Sequence, residues 1–180
     1  SHIPPMNQPF RIRPADSEDT LIIGEILVET WRATFRGIID DAYLDGMSEE
    51  DQAIRHARRM RAGGVFYQAG VDADGLIGFA NYGPARHPVP PGIMELYALY
   101  IRPAAQGTGL GKALVKAVAS DCLARGANGL FAWVLAENAN RGFYEHLGAT
   151  VAAQGRVRVG RQDHEQLAYL WADLPQLIAR

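Results

Sequence analysis

The stretch Glu95-Leu-Tyr-Ala-Leu-Tyr-Ile-Arg-Pro-Ala-Ala-Gln-Gly-Thr-Gly-Leu-Gly-Lys112 decides how the rest of the chain is read. Its first half belongs to a strand, Ile93 to Ile101, that Pro103 closes. A glycine-rich turn follows, and an amphipathic helix runs from about Leu110 to Gly126. Glycines at 107, 109 and 111 remove side chains where a ligand would approach the backbone. They also leave amide N–H groups unpaired at a helix N-terminus. Free donors at the positive end of a helix dipole form an anion site suited to a pyrophosphate.

Spacing separates the phosphate loops that could claim this turn. A P-loop needs G-x-x-x-x-G-K-[ST], but Gln106 stands at its first glycine and Ala113 at its hydroxyl. The dinucleotide fingerprint G-x-G-x-x-G fails as well. Started at Gly107 it ends on Lys112, and started at Gly109 it ends on Leu114.

Upstream of this stretch, residues 10–13 read as a short strand ending at Pro14. Asp16 and Ser17 can cap a helix whose apolar positions are Leu21, Ile22, Ile26, Leu27 and Trp31. Gly37 breaks it, and a loop with Asp40, Asp41 and Asp45 leads to a second helix between Ser48 and Gly63. Val65–Val71 and Leu76–Tyr82 read as a hairpin around Asp74-Gly75, followed by a proline-rich loop, Pro84 to Pro91. Downstream, Leu130–Leu135 is a strand, Asn140–Leu147 a short helix, and Val151–Trp171 a pair of strands. The order β-α-α-β-β-β-α-β-α-β-β implies an α/β sandwich around a mixed sheet with about four helices, not a regular βαβ repeat.

The 180 residues are enough for one domain with its own core, assigned to residues 10–180. Residues 1–9 read as a disordered or tag-derived N-terminus, since Ser1-His2 resembles the remnant of a cleaved tag. A formal net charge of −2 gives no global case for nucleic acid or an anionic membrane as partner. No apolar run approaches the ~20 residues of a membrane span. The single cysteine, Cys122, reads as a buried structural thiol and fits a reducing, cytoplasmic setting. The five histidines show no metal spacing, so no metal is expected.

Gln106, Gly109 and Gly111 fill the pattern Gln-x-x-Gly-x-Gly, which resembles the pyrophosphate motif of the GNAT N-acetyltransferases, small bacterial members in particular. A second segment, Trp133-Val-Leu-Ala-Glu-Asn-Ala-Asn-Arg-Gly-Phe-Tyr-Glu-His-Leu-Gly-Ala149, is similar to the other signature of that superfamily. Asn138, Phe143, Tyr144, Glu145 and Gly148 fall on matching positions, while Asn140 departs from the small apolar residue often found there. Leu167 to Leu174 resembles the last strand.

The resemblance implies a mixed, mostly antiparallel sheet splayed at the cofactor site. Acetyl-CoA would lie in that wedge. Backbone groups near Leu99 and Ile101 would hold its pantetheine arm, and the segment Gln106, Gly107, Thr108, Gly109, Leu110, Gly111 and Lys112 its pyrophosphate. Asn138 and Tyr144 would contact the cofactor, and Tyr144 would also be the general acid. Strict alternation puts Glu95, Tyr97, Leu99 and Ile101 on one strand face and Leu96, Ala98 and Tyr100 on the other; with the first face toward the cleft, Glu95 is the expected base, acting through a water. Trp31, Phe35 and Tyr97 are the expected acceptor-binding residues; the alternative is that Trp31 and Phe35, four apart on a helix, are core residues and the aspartates a solvated loop. The acceptor would be a small-molecule amine or a peptide or protein amino group, the enzyme a monomer or homodimer. A rival reading is a non-catalytic acyl-CoA-binding sensor on the same fold, against which the presence of both Glu95 and Tyr144 argues.

Overall fold

The computed structural model describes residues 9–180; the expectation for residues 1–9 therefore falls, but for Pro9, outside the described residues. Seven strands form one sheet in the order β1-β2-β3-β4-β5-β7-β6. They are β1 (Arg11–Pro14), β2 (Phe66–Asp72), β3 (Gly75–Pro84), β4 (Ile93–Ile101), β5 (Gly129–Leu135), β6 (Thr150–Val159) and β7 (Gln162–Trp171). Every neighbouring pair is antiparallel except β4 with β5.

One face of the sheet carries α1 (Thr20–Phe35) packed on α3 (Glu49–Ala62). The apolar positions of α1 that repeat at helical spacing, Ile23, Ile26 and Leu27, are buried there against Tyr67, Ala69 and Phe79. Asp16 starts this segment by accepting from the amide of Glu18 while Asp19 accepts from that of Asp16, the reciprocal pairing of a capping box. The other face carries α4 (Leu110–Ala124), whose Leu114, Val115, Val118 and Cys122 are fully buried. Burial pushes the Cys122 thiol up to about 12, with Asp121 adding to the effect, so the cysteine is a packing group.

Six α-helices occur among the described residues, two more than the sequence pattern separated. One is α2 (Asp41–Asp45), read above as an acidic loop. The other is α6 (Leu174–Ile178), which Asp173 caps by accepting from the amide of Gln176 and which packs on α4. α5 spans Gly142–His146.

Two irregularities in the sheet create the site. β4 pairs with β5 only over Ile93–Glu95 against Gly129–Phe131. Beyond that point β4 stays with β3 to Ile101 and β5 stays with β7 to Leu135, so the two strands part and leave a wedge. Second, Asn81 faces Ala98 while Tyr82 faces Leu96, which leaves Tyr97 as an extra residue in β4. That bulge swaps the faces that follow it. Leu96 and Leu99 both pack with the α4-side core, whereas Tyr100 packs with the α1-side core. Strict alternation through β4, and with it a common face for Glu95, Leu99 and Ile101, is therefore corrected: a one-residue insertion inverts the pleat.

Candidate active site

A cavity of about 440 Å³ opens where β4 and β5 part. Leu99, Tyr100 and Ile101 of β4 form one wall, and Gln106, Gly107, Gly109, Gly111 and Lys112 of the glycine turn another. Asn138 and Asn140 after β5, Phe143 and Tyr144 of α5, and Thr30, Thr34 and Phe35 of α1 close it.

The turn leaves a run of backbone donors without protein acceptors among the described residues. Gly107 and Gly109 have φ of 76° and 86°, a left-handed conformation that costs a side-chain-bearing residue strain. Gly109 caps α4 with no side-chain hydrogen bond, and the first backbone bond of the helix is Ala113 N–H to Gly109 O at 3.1 Å. Among the described residues, the amides from Gly107 to Lys112 donate to no protein acceptor. Gly111 serves a different need, since a Cβ there would stand 3.1 Å from both Ile101 Cδ1 and Phe143 Cε1. Its absence lets α5 close on α4.

The side chains of the turn mostly brace it. Gln106 Nε2 donates to Ile101 O at 3.3 Å and Thr108 Oγ1 to Ala105 O at 2.6 Å. Leu110 is a core residue, packed over Gly70 and Gly78, where a Cβ would meet its side chain at 2.5 and 3.1 Å. Lys112 adds a positive charge to the lining. On the opposite wall, Asn138 Oδ1 accepts from the Asn140 amide at 2.8 Å and shapes the turn into α5.

Tyr144 is held by aromatic packing. Its ring stacks on Tyr169 at 5.5 Å and lies 5.9 Å from Trp171 and 5.3 Å from Phe143, the last edge-on. Burial pushes its phenol well above the ordinary tyrosine range, so it holds its proton throughout the neutral range.

Glu95 and Tyr97 stand apart from the cavity lining. The Glu95 carboxylate is 0% exposed and is held by Arg86, whose amide donates to Oε1 at 3.0 Å and whose Nε and Nη2 donate to Oε2 at 3.1 and 2.5 Å. Arg86 also lies 4.7 Å over the Tyr97 ring, and the Tyr97 hydroxyl donates to Pro84 O. These contacts fasten the proline-rich loop to β4 at the last β4–β5 pair. The partnership of Arg86 with Glu95 crosses a loop and carries no sequence signature.

On the α1 side, Phe35 lines the cavity, whereas Trp31 stands behind it, edge-on to Phe35 at 5.0 Å and donating to Tyr100 Oη at 2.8 Å. Asp41 and Asp45 pair with Arg36 at 3.2 and 3.0 Å on the exposed surface, so these acids are not lining groups. Sequence reasoning missed Tyr100, Thr30 and Thr34, because the bulge and the helix-to-sheet packing that bring them in are not local. It missed also the side-chain atoms of Asn81, Trp133 Nε1 and His164 Nε2, which are buried without a protein partner among the described residues. Each alternates with residues of the α4-side core and therefore faces the α1 side. Among the described residues no cluster of three or more His, Cys, Asp or Glu side chains is arranged to hold a metal, and no helix is long and apolar enough to cross a membrane.

Known proteins share the sequence pattern and the fold of this chain. The model of the acetyltransferase (GNAT) family matches residues 24–149, well over half the chain. The uncharacterised N-acetyltransferase YuaI of Bacillus subtilis (strain 168) is 28% identical over 166 residues, covering 92% of this chain and 95% of that protein. Two solved structures share the fold at a TM-score of 0.68. PaiA N-acetyltransferase of Thermoplasma acidophilum, in complex with coenzyme A, is 21% identical over 88% of this chain and 97% of its own. YncA of Salmonella typhimurium, with its cofactor acetyl-CoA, is 22% identical over 92% and 94%.

Proposed function

The chain belongs to the acetyltransferase (GNAT) family, and on that premise we propose that it moves an acetyl group from acetyl-CoA to an amine by direct attack on the thioester. The observation that carries this reading is the convergence on one cavity of an unpaired run of backbone amides and a proton-bearing phenol, Tyr144. A pure phosphate site would need the first and not the second.

The residues fit the group. The amides from Gly107 to Lys112, with the α4 dipole and the Lys112 charge, suit a pyrophosphate. The unpaired strand edge of β4 past Glu95 suits an extended pantetheine arm near Leu99 and Ile101. When bound, acetyl-CoA supplies an acyl group activated as a thioester. The departing thiol has an ordinary pKa of roughly 8.5, so a proton delivered by Tyr144 Oη eases its release.

The acceptor amine must lose a proton. A carboxylate offers about four lone-pair sites; Arg86 takes three on Glu95, and the remaining one on Oε1 is where a relaying water would bind. Glu95 acts in this scheme as a base reached through water. The acceptor enters from the α1 side, where Thr30, Thr34 and Phe35 line the cavity and Trp31 backs Phe35.

The test is release of coenzyme A thiol by the wild type against a panel of small-molecule and peptide amines, beside Tyr144→Phe. Tyr144→Phe is expected to slow turnover by roughly 10²-fold while acetyl-CoA affinity stays nearly unchanged. Binding of acetyl-CoA with no turnover on any amine would point to the sensor module; equal rates in both proteins would remove Tyr144 from the mechanism.

A further inference from the structure

The bulge in β4 sends Tyr100 to the α1 side of the sheet, where its ring lies edge-on to Phe79 at 5.6 Å. There Trp31 Nε1 donates to Tyr100 Oη at 2.8 Å. An indole N–H is a donor only, whereas a phenol both donates and accepts. The direction of this bond is thereby settled: Tyr100 accepts, and its own O–H proton must point elsewhere. Among the described residues no protein acceptor takes that proton. Tyr100 lines the same cavity as Tyr144, which enters from the α5 wall.

We propose that Tyr100, oriented by Trp31, donates a hydrogen bond to the acyl carbonyl oxygen of bound acetyl-CoA. This rests on the reading of the cavity as an acetyl-CoA site. The two phenols then divide the work. Tyr144 gives its proton to the departing sulfur, while Tyr100 keeps its proton and lends a hydrogen bond to oxygen as negative charge gathers there. Trp31 is a positioning residue: its bond stops the Tyr100 hydroxyl from rotating toward the helix. It also polarises the phenol, since a hydroxyl that accepts one hydrogen bond donates a stronger one. Burial raises the Tyr100 phenol above its ordinary range, the Trp31 bond opposing this, so the donor remains protonated through neutral pH.

A donor to an oxyanion is worth more in the transition state than in the ground state, and removing one costs roughly 10²-fold or more in turnover. Binding changes little.

The experiment needs no acceptor. Isotope-edited infrared difference spectra of [1-¹³C]acetyl-CoA bound to the wild type, Tyr100→Phe and Trp31→Phe report the thioester carbonyl directly, with affinities from calorimetry. A carbonyl that loses a donor absorbs at higher wavenumber. The expected result is such a shift in Tyr100→Phe at nearly unchanged affinity, with a broader, intermediate band in Trp31→Phe, where the hydroxyl is free to rotate. An identical band in the wild type and Tyr100→Phe overturns the assignment, whatever happens to the melting temperature, because a merely structural tyrosine leaves the carbonyl alone. Should Tyr100→Phe not fold, Trp31→Phe carries the test, and an unshifted, equally sharp band there overturns it. Failure of the wild type to bind acetyl-CoA would be a distinct result, removing the proposed function and this role together.

Discussion

Replacing Gly109 separates the three things the glycine turn does. At φ of 86° an L-residue is strained by roughly 1–2 kcal/mol, and a Cβ at that position meets no atom within 4 Å. Gly109→Ala therefore carries the backbone cost and no steric one. Its melting temperature should fall by about 2–8 °C, at ~2–4 °C per kcal/mol for a chain of this size, with acetyl-CoA affinity nearly kept. Gly109→Gln adds bulk at the same backbone cost, and Gly109→Glu adds a negative charge to that bulk. Two like charges ~4 Å apart repel by about 4 kcal/mol at an effective dielectric of about 20. A flexible, solvent-facing side chain that swings to about 8 Å halves this to about 2 kcal/mol, or roughly thirty-fold in Kd. Calorimetric titration of the three variants with acetyl-CoA reads the difference between Gln and Glu. That difference should shrink near 1 M salt, where the screening length falls to about 3 Å. Equal affinities for the Gln and Glu variants at low salt would refute the placement of a pyrophosphate on the Gly107–Lys112 amides, however much all three are destabilised.

Further outcomes follow from the same structure. Glu95→Gln should slow acetyl transfer by roughly 10²-fold without weakening acetyl-CoA binding, whereas unchanged turnover with a lower melting temperature would leave Glu95 as a tie for the Pro84–Pro91 loop alone. Burial, assisted by the nearby charges of Arg59 and Arg55, pushes the His56 imidazole down to about 4 from 6.5. The unfolded chain then binds this proton before the folded one does, so stability is lost as pH drops from about 6.5 toward about 4, by about 3 kcal/mol at the limit. Denaturant titrations across that range should show the loss, and His56→Gln should flatten it; an identical slope in that variant would assign the effect to other groups.

The parts of the fold set by local chemistry were legible in the sequence. Proline at 103, glycines at 107 and 109 and the apolar repeat from Leu110 placed strand, turn and helix where they stand, because a left-handed turn and a helix start leave local signatures. The succession of strands along the chain and the pair of late strands were also readable; the order of the strands within the sheet was not. What escaped depends on contacts distant in sequence. The extra residue at Tyr97 leaves no mark in the residue pattern, yet it decides that Tyr100 and not Leu99 faces Trp31. The Arg86–Glu95 pair joins a loop to a strand and alters how exposed the expected base is. Two five-residue helices were missed because so short a segment shows no full periodicity, although Asp173 before Leu174-Pro175 was a usable start signal for α6.

Whether the wedge between β4 and β5, with the glycine turn at its mouth, holds acetyl-CoA is decided by calorimetric titration of the purified wild type with acetyl-CoA, beside ATP and NADH. The expected result is selective binding of acetyl-CoA in the micromolar range with both nucleotide controls much weaker. A folded protein that binds neither acetyl-CoA nor free coenzyme A, or that binds ATP or NADH equally well, would contradict it.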